Sequence, residues 1–144
     1  MEAGAKVFLV PYIREATKQD ISLYQSIIGS LNYLAIHTRA DIAFATSALA
    51  RYLCNPSPQH IKAARRVLKY LQGTIILAVI FRGEDALLAC FSDSDFAEDI
   101  DTRRSTSGYV IVFAGGIICW SSKRQSLVAT STMEAKYYAM KEAG

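Results

Sequence analysis

Acidic side chains gather in one short stretch of the chain, directly after an apolar run. Asp93 follows the run Leu87–Phe91, and four more carboxylates come next: Asp95, Glu98, Asp99 and Asp101. An apolar run bounded by turn formers predicts a strand. A carboxylate at the end of a buried strand is costly unless it is paired, hydrogen-bonded or bound to a metal. Asp93 is therefore a candidate ligand for a divalent cation; the alternative is an ordinary solvated acidic loop.

The spacing of these carboxylates excludes a calcium-binding loop of the EF-hand type. Asp93 and Asp95 match the first two ligand positions of such a loop. Glu98, however, stands where the loop requires glycine, and Arg104 stands where it requires a terminal glutamate. We interpret the carboxylates after Asp93 as part of a solvated loop that contributes electrostatically.

A second candidate for chemistry is a set of cations at helical spacing. Lys62, Arg65, Arg66 and Lys69 recur at i, i+3, i+4 and i+7, which places them on one face of a helix. A positive stripe of this kind can follow a phosphate backbone. The alternative is a solvated helix face opposite a core face, and the residues alone leave both interpretations open.

Three helices are predicted before the acidic stretch. Apolar periodicity predicts helices over 20–37 and 40–54. Ser57 has the type of an N-cap and Pro58 that of a first helical residue, so a third helix is predicted from there to about residue 72, with Gly73 as its stop. The predicted apolar face of this third helix consists of Ile61, Ala64, Leu68 and Leu71.

Strands and a final helix are predicted for the rest of the chain. The predicted strands cover 74–82, 87–92, 107–114 and 117–123, and the first two are expected to form a hairpin. Gly115 and Gly116 form a two-residue turn signal between the last two strands. Two segments have the spacing of a capping box, namely Ser22 with Gln25 and Ser131 with Glu134. The second of these starts a helix that is predicted to run to the C-terminus.

Composition indicates a globular chain of 144 residues, with 51% hydrophobic and 20% charged residues and a formal net charge of +3. No apolar run is long enough to span a bilayer, and the first residues lack the pattern of a secretory signal. The three cysteines are an odd number and lie in or beside apolar segments, which is typical of a reducing compartment. We therefore expect an intracellular protein, in the cytoplasm, the nucleus or both, that is not secreted and does not bind a membrane.

Four motifs in the second half of the chain resemble one known family. Their ranges are Phe91–Ala97, Asp101–Tyr109, Trp120–Gln125 and Ser131–Tyr137. Together they are similar to the ribonuclease H domain of copia-type LTR retrotransposon Pol polyproteins. Upstream segments resemble the part of the same polyproteins between polymerase and ribonuclease H, which is similar to the reverse transcriptase thumb and connection: Tyr24–Leu34, Thr38–Ala45, Asn55–Ser57 and Arg65–Thr74. The resemblance covers about residues 20–144, and Ala40 departs from it where the family usually has proline.

The resemblance implies an α+β fold. A helical, thumb-like segment would come first, followed by a truncated ribonuclease H-like antiparallel sheet and its first helix. The implied division is a poorly ordered lead-in over 1–19, a thumb and connection segment over 20–73, and the N-terminal part of a ribonuclease H-like domain over 74–144.

The resemblance also implies a reaction and a metal site. The family hydrolyses the RNA strand of RNA–DNA hybrids with two divalent metals, Mg²⁺ or Mn²⁺, held by converging carboxylates. Asp93 matches the first metal ligand and is the implied catalytic residue. The second ligand is a glutamate in the family pattern Glu-Ala-Glu-Tyr, and this chain has Lys136 at that position.

Two features make metal binding and catalysis by this chain doubtful. Residues two apart on a helix point about 200° away from each other, so Glu134 is not expected to replace the ligand lost at Lys136. The chain also ends at Gly144, before the family's two remaining carboxylates. We expect no ribonuclease H activity, although the family is enzymatic.

Three functional interpretations follow from the resemblance. The chain could be an inactive segment of the polyprotein, a nucleic-acid-binding or interaction module, or a decayed reading frame without selected function. The implied partner is an RNA–DNA hybrid or another nucleic acid, and similarity to a thumb helix favours phosphate contact by the basic stripe. Without the family's later strand, the Asp93 strand would be an exposed sheet edge, which predicts self-association.

Overall fold

The computed structural model describes residues 10–81, 83, 87–99 and 101–144. It divides the chain into two compact units, Met1–Leu77 and Ala78–Gly144, which we call the helical unit and the sheet unit. Helices precede an antiparallel sheet along the chain, so the predicted α+β class is confirmed. Residues 1–9 of the predicted lead-in lie outside the described residues.

The helical unit contains three α-helices and one 3-10 turn. Helix α1 spans Lys18–His37, the 3-10 turn spans Ala40–Ile42, α2 spans Ala43–Ala50 and α3 spans Pro58–Gly73. The helix predicted over 40–54 is therefore shorter than expected. Residues 51–55 form a turn and bends instead, and the following proline disfavours helical geometry at Asn55 itself.

Helix α1 begins earlier than the sequence suggested. Thr17 is its N-cap, and the Thr17 hydroxyl accepts a hydrogen bond from the Asp20 amide at 3.1 Å. The predicted cap at Ser22 is wrong, because Ser22 lies inside the helix. Thr17 is the cap because its hydroxyl oxygen accepts from a free amide of the first turn, as expected of a capping threonine.

Residues 10–17 form an N-terminal strap that one side chain holds in place. The Asn55 amide nitrogen donates to the carbonyls of Tyr12 and Arg14, at 2.9 and 3.0 Å, and its amide oxygen accepts from the Ala16 nitrogen at 2.9 Å. This described part of the predicted lead-in is thus hydrogen-bonded to the helical unit.

The core of the helical unit is built on one face of α1. The buried hydrophobic residues are Tyr24, Ile28, Leu31, Ala35, Ile42, Leu49, Tyr52 and Ala64. The Tyr24 hydroxyl donates to the Leu49 carbonyl at 2.8 Å, and burial raises the pKa of that phenol. Leu68, predicted on the core face of α3, is 40% exposed, and Val67 packs against the core instead.

Arg39 joins the end of α1 to the end of α3. Its guanidinium donates to both carboxylate oxygens of Asp41, at 2.9 and 2.7 Å, and to the carbonyl and hydroxyl oxygens of Thr74, at 3.2 and 2.6 Å. The Tyr70 hydroxyl donates to Asp41 at 2.8 Å. Hydrogen bonding from Arg39, and then from Tyr70, lowers the pKa of the Asp41 carboxyl.

Replacing Arg39 by alanine should lower the free energy of unfolding by about 1–2 kcal/mol, because hydrogen bonds to Asp41 and Thr74 are lost. The Arg39 side chain is 11% exposed, whereas Asp41 is 33% exposed and keeps its hydrogen bond from Tyr70. Denaturant titration followed by far-UV circular dichroism measures the change. Arg39→Lys should retain part of the stability, since lysine keeps the charge but not the planar fork. A loss below about 0.5 kcal/mol for Arg39→Ala would show that this network contributes little to the stability of the helical unit.

His60 completes the cap of α3 in a way that the sequence analysis missed. The His60 amide donates to the Ser57 hydroxyl at 3.2 Å, and the Ser57 amide donates to His60 Nδ1 at 3.0 Å. Because Nδ1 accepts, the imidazole is neutral with its proton on Nε2. Burial lowers the pKa of His60, against an opposing hydrogen bond with the Val10 backbone.

The helical unit should therefore lose stability as the pH falls below about 6.5. Unfolded histidine titrates near that value, and a lowered pKa in the folded state means that the unfolded chain binds more protons. Urea titrations across this range should show the decline in wild type and none in His60→Gln, whose amide oxygen can still accept from Ser57. Persistence of the full decline in His60→Gln would refute the assignment.

The sheet unit contains three antiparallel strands in the order β1-β2-β3, with one helix after them. Strand β1 spans Ala89–Ser94, β2 spans Thr106–Phe113, β3 spans Gly116–Arg124, and helix α4 spans Thr132–Ala143 and packs on β1 and β2. The last three predicted strands and the final helix are confirmed, with small shifts of their ends.

The strand predicted over 74–82 is wrong for residues 74–81, and residue 82 lies outside the described part of the chain. Residues 74–76 form a turn, in which the Leu77 amide donates to the Thr74 carbonyl at 3.1 Å, and residues 77–81 have no regular structure. The Phe81 ring instead covers Gly116, where an added Cβ would come within 2.5 Å of the ring. The apolar run therefore supplies a packing side chain and not a paired strand.

The β2–β3 turn lies one residue before the predicted position. Ala114 and Gly115 are its central residues, with φ values of 49° and 76°, and Gly116 pairs with Phe113 within the sheet. Positive φ at both central residues is the geometry that matches the twist of a two-residue hairpin. Gly116 is needed in the strand because Phe81 leaves no room for a side chain there.

Candidate functional site at the open edge of the sheet

Asp93 lies near the end of β1, opposite Gly108 of β2. Its side chain is 81% exposed. Burial therefore does not force a metal onto this carboxylate, because water already solvates it. Any role of Asp93 must come from what its neighbours add.

Lys136 of α4 is the charged neighbour that the fold brings to Asp93. The Lys136 Nζ atom lies 3.9 Å from Asp93 Oδ1, and the lysine side chain is 64% exposed. An ion pair as exposed as this contributes only about 0–1 kcal/mol to stability. Its consequence is chemical, because it places a cation beside the carboxylate that the resemblance implies as a metal ligand.

Glu134 does not face Asp93 but belongs to the cap of α4. The Glu134 amide donates to the Ser131 hydroxyl at 3.1 Å. Its carboxylate accepts from the Thr130 amide and hydroxyl, each at 2.7 Å, and these hydrogen bonds lower the pKa of Glu134. The carboxylate thus returns to Thr130, one residue before the N-cap Ser131 to which an ideal capping box would return.

Two of the carboxylates after Asp93 fix the loop that follows β1. Asp95 accepts from the Thr106 amide at 3.0 Å. Asp99 accepts from the Arg124 guanidinium at 2.7 Å and from the Thr102 hydroxyl at 2.6 Å, and its side chain is 6% exposed. The prediction of a merely solvated loop is wrong for Asp95 and Asp99, because they satisfy groups within the turn and tie it to β3.

These groups do not fit a divalent metal. Mg²⁺ requires several oxygen ligands in near-octahedral geometry. The pair formed by Asp93 and Lys136 offers one carboxylate beside an ammonium. Within the described ranges, no group of three or more histidine, cysteine, aspartate or glutamate side chains is arranged to hold a metal ion.

Gln125 is a positioning residue that the sequence analysis did not single out, although it ends one of the four family motifs. It is 1% exposed, and its Nε2 donates to the Ser107 hydroxyl and the Ala135 carbonyl, both at 2.9 Å. Gln125 thereby bridges β2 and α4. This bridge fixes the helix that presents Lys136 to Asp93.

The basic stripe lies on the exposed face of α3. Its members, Lys62, Arg65, Arg66 and Lys69, are all exposed, while Ala64 of the same helix is fully buried. None of the four forms an ion pair with another described residue. Four exposed cations that pair with no carboxylate in the described ranges can interact with an external anion.

The fold and the site together define an α+β chain in which a helical unit with a basic stripe precedes a small antiparallel sheet with an Asp–Lys pair. The comparisons with curated proteins agree with the resemblance. The chain is 46% identical over 121 residues to the Retrovirus-related Pol polyprotein from transposon TNT 1-94 of Nicotiana tabacum, covering 84% of this chain and 9% of that protein. It is 40% identical over 119 residues to that from transposon RE1 of Arabidopsis thaliana, covering 82% of this chain and 8% of that protein. The chain belongs to the family of copia-type retrotransposon Pol polyproteins.

A third relative has nearly the same extent as this chain. Secreted RxLR effector protein 161 of Plasmopara viticola is 43% identical over 121 residues, which cover 83% of this chain and 85% of that protein. No family model matches the chain, and no solved structure matches it significantly. Among the described residues, no helix is long and apolar enough to cross a membrane.

Proposed function

We propose that this chain is a nucleic-acid-binding segment of a retrotransposon Pol polyprotein that lacks ribonuclease H activity. It would correspond to the reverse transcriptase thumb and connection followed by the first part of a ribonuclease H-like domain. The observation that carries the loss of activity is the ion pair between Lys136 and Asp93, with Glu134 engaged at the helix cap. We expect an intracellular location, as for a polyprotein that acts on an element's nucleic acid.

Loss of catalysis follows from the charge at the site. Two-metal hydrolysis of a phosphodiester needs carboxylates that hold two divalent metal ions about 3.5–4 Å apart. At Asp93, the Lys136 ammonium lies 3.9 Å from the carboxylate and weakens its attraction for an approaching cation. Among the described residues, no converging set of carboxylates is available to hold two metals and activate water beside a scissile phosphate.

Binding is supported by the exposed stripe on α3. Cations that replace counterions on a phosphate backbone give affinity that falls steeply with salt. An RNA–DNA hybrid is the substrate of the family, so it is the partner that we propose first.

A salt titration tests the binding proposal directly. The affinity of the purified chain for a labelled RNA–DNA hybrid, measured by fluorescence anisotropy, should fall with a log–log slope of about −2 to −4, as expected for two to four phosphate contacts. No measurable binding at low salt would sink the proposal and favour a decayed reading frame.

A second candidate function, an interaction module, is favoured by the open edge of the sheet. Strand β1 pairs with β2 on one side and has no strand partner on the other among the described residues. Its side chain Phe91 is 64% exposed, and Leu88 just before it is 68% exposed. The relative of similar extent shows that a protein can consist largely of this segment.

Self-association through this edge should be visible in sedimentation velocity. Apolar exposed edges template strand pairing, and an inward charge on the edge blocks it. We expect a concentration-dependent increase in mass for wild type and a monomer for Phe91→Lys, with Ile36→Lys, at an exposed site of the helical unit, behaving as wild type. A wild-type monomer at all concentrations would refute this candidate.

A further inference from the structure

A cleft in the helical unit adjoins the basic stripe. Its volume is about 460 Å³, which lies within the range of small-ligand sites. The strap and the first turns of α1 and α3 line it, and two members of the stripe, Lys62 and Arg65, belong to its wall. Arg66 and Lys69 do not line it, so the stripe runs from the cleft out along α3.

The remaining lining residues do not suit a phosphate. Glu15 and Asp20 bring negative charge into the cleft, and Tyr12 and Leu23 bring aromatic and apolar surface. Leu23 is 43% exposed there, an apolar side chain that no part of the described chain covers fully. A backbone phosphate is therefore favoured at the lysine and arginine, and a flat, partly apolar group is favoured inside.

The orientation of Asp20 suits a hydrogen-bond donor. The Thr17 hydroxyl donates to Asp20 Oδ2 at 2.7 Å, which fixes the carboxylate. The other oxygen makes no hydrogen bond with a described residue and can accept one from a ligand. Carboxylates accept readily from the exocyclic amino groups of bases, cytosine N4 above all.

We propose that this cleft takes an unpaired, amino-bearing nucleobase from a single strand whose phosphates lie on the basic stripe. The inference rests on the proposed binding function and adds the class of ligand to it. Tyr12 provides a ring for stacking, Asp20 accepts from the amino group, and Lys62 and Arg65 hold the flanking phosphates. Stacking of a base on an aromatic side chain adds affinity that a bare phosphate chain lacks.

The test compares three decamers of equal charge: oligo-deoxycytidine, oligo-thymidine and a fully abasic deoxyribose phosphate chain. Wild type should bind the cytidine decamer about tenfold more tightly than the abasic one, with thymidine between them, since thymine lacks the amino group. Tyr12→Ala, which removes the stacking ring, should reduce the difference between the cytidine and abasic decamers. Ile36→Ala, at an exposed site of α1 outside the cleft, should preserve that difference.

The outcomes separate this inference from the function on which it rests. If wild type binds all three decamers equally and Arg66→Glu with Lys69→Glu weakens all three, the stripe binds phosphate alone and the inference fails. If a folded Tyr12→Ala variant binds cytidine as wild type does, the cleft serves another ligand, such as a peptide, and the inference also fails. If no decamer and no hybrid binds, the proposed function fails with it.

Discussion

The double substitution Arg66→Glu and Lys69→Glu should lower the affinity for an RNA–DNA hybrid about a hundredfold near 0.1 M salt. Each phosphate contact contributes about 0.9 to the log–log salt slope, so the loss of two contacts removes roughly two decades at this ionic strength. Both side chains are exposed and unpaired with any described residue, and so the fold should tolerate the change. Fluorescence anisotropy at several salt concentrations measures both the affinity and the slope.

The matched control changes the net charge by the same amount elsewhere in the helical unit. Arg14 and Lys18 are exposed, and Glu at position 18 would suit the first turn of α1. The pair Arg14→Glu and Lys18→Glu should lower affinity by less than tenfold. Equal losses in the two double variants would mean that net charge, and not the stripe, governs binding.

Replacing Lys136 by glutamate should create a weak Mn²⁺ site at Asp93. At a separation of about 5 Å in water, exchanging one positive for one negative charge favours a dication by about 3 kcal/mol before salt screening. The affinity at this position should therefore rise by tenfold or more, to a dissociation constant on the order of 1 mM. Paramagnetic broadening of the amide signals of Asp93 and its cross-strand neighbour Gly108 reports the site.

The control for this gain in Mn²⁺ affinity removes the Asp93 carboxylate. In Asp93→Asn combined with Lys136→Glu, the broadening at Gly108 should return to the wild-type level. Both variants retain Gln125, because its hydrogen bond to the Ala135 carbonyl holds α4 in place. If Lys136→Glu gains no local Mn²⁺ affinity, the ammonium is not what keeps cations away from Asp93.

Local signals predicted most of the elements. The Ser57 and Ser131 hydroxyls accept from amides of the first helical turn three residues on, and Pro58 needs no partner because it lacks an N–H. Both helices therefore start where these residues predicted. The apolar run before residue 82 misled because strand propensity is decided by a pairing partner, and Phe81 packs over Gly116 instead. The turn at Ala114 was missed because Gly116 is required for space and not for a positive φ.

The site was predictable only where helix geometry alone fixed it. The roughly 200° between positions 134 and 136 separates Lys136, beside Asp93, from Glu134, at the cap. The ion pair of Asp99 with Arg124 joins residues 25 apart in sequence, and the bond of Gln125 to Ser107 joins residues 18 apart. No local pattern encodes such pairs. The cleft beside the stripe could not be predicted either, because the strap, α1 and α3 line it together and no local pattern shows how they pack.

Cleavage of a labelled RNA–DNA hybrid by the purified wild-type chain, with Mg²⁺ or Mn²⁺ in excess, is the most direct test of a silent site. We predict binding without cleavage, and identical behaviour of Asp93→Asn. Metal-dependent cleavage by wild type that disappears in Asp93→Asn would show that one carboxylate beside an ammonium is enough, and would contradict the account.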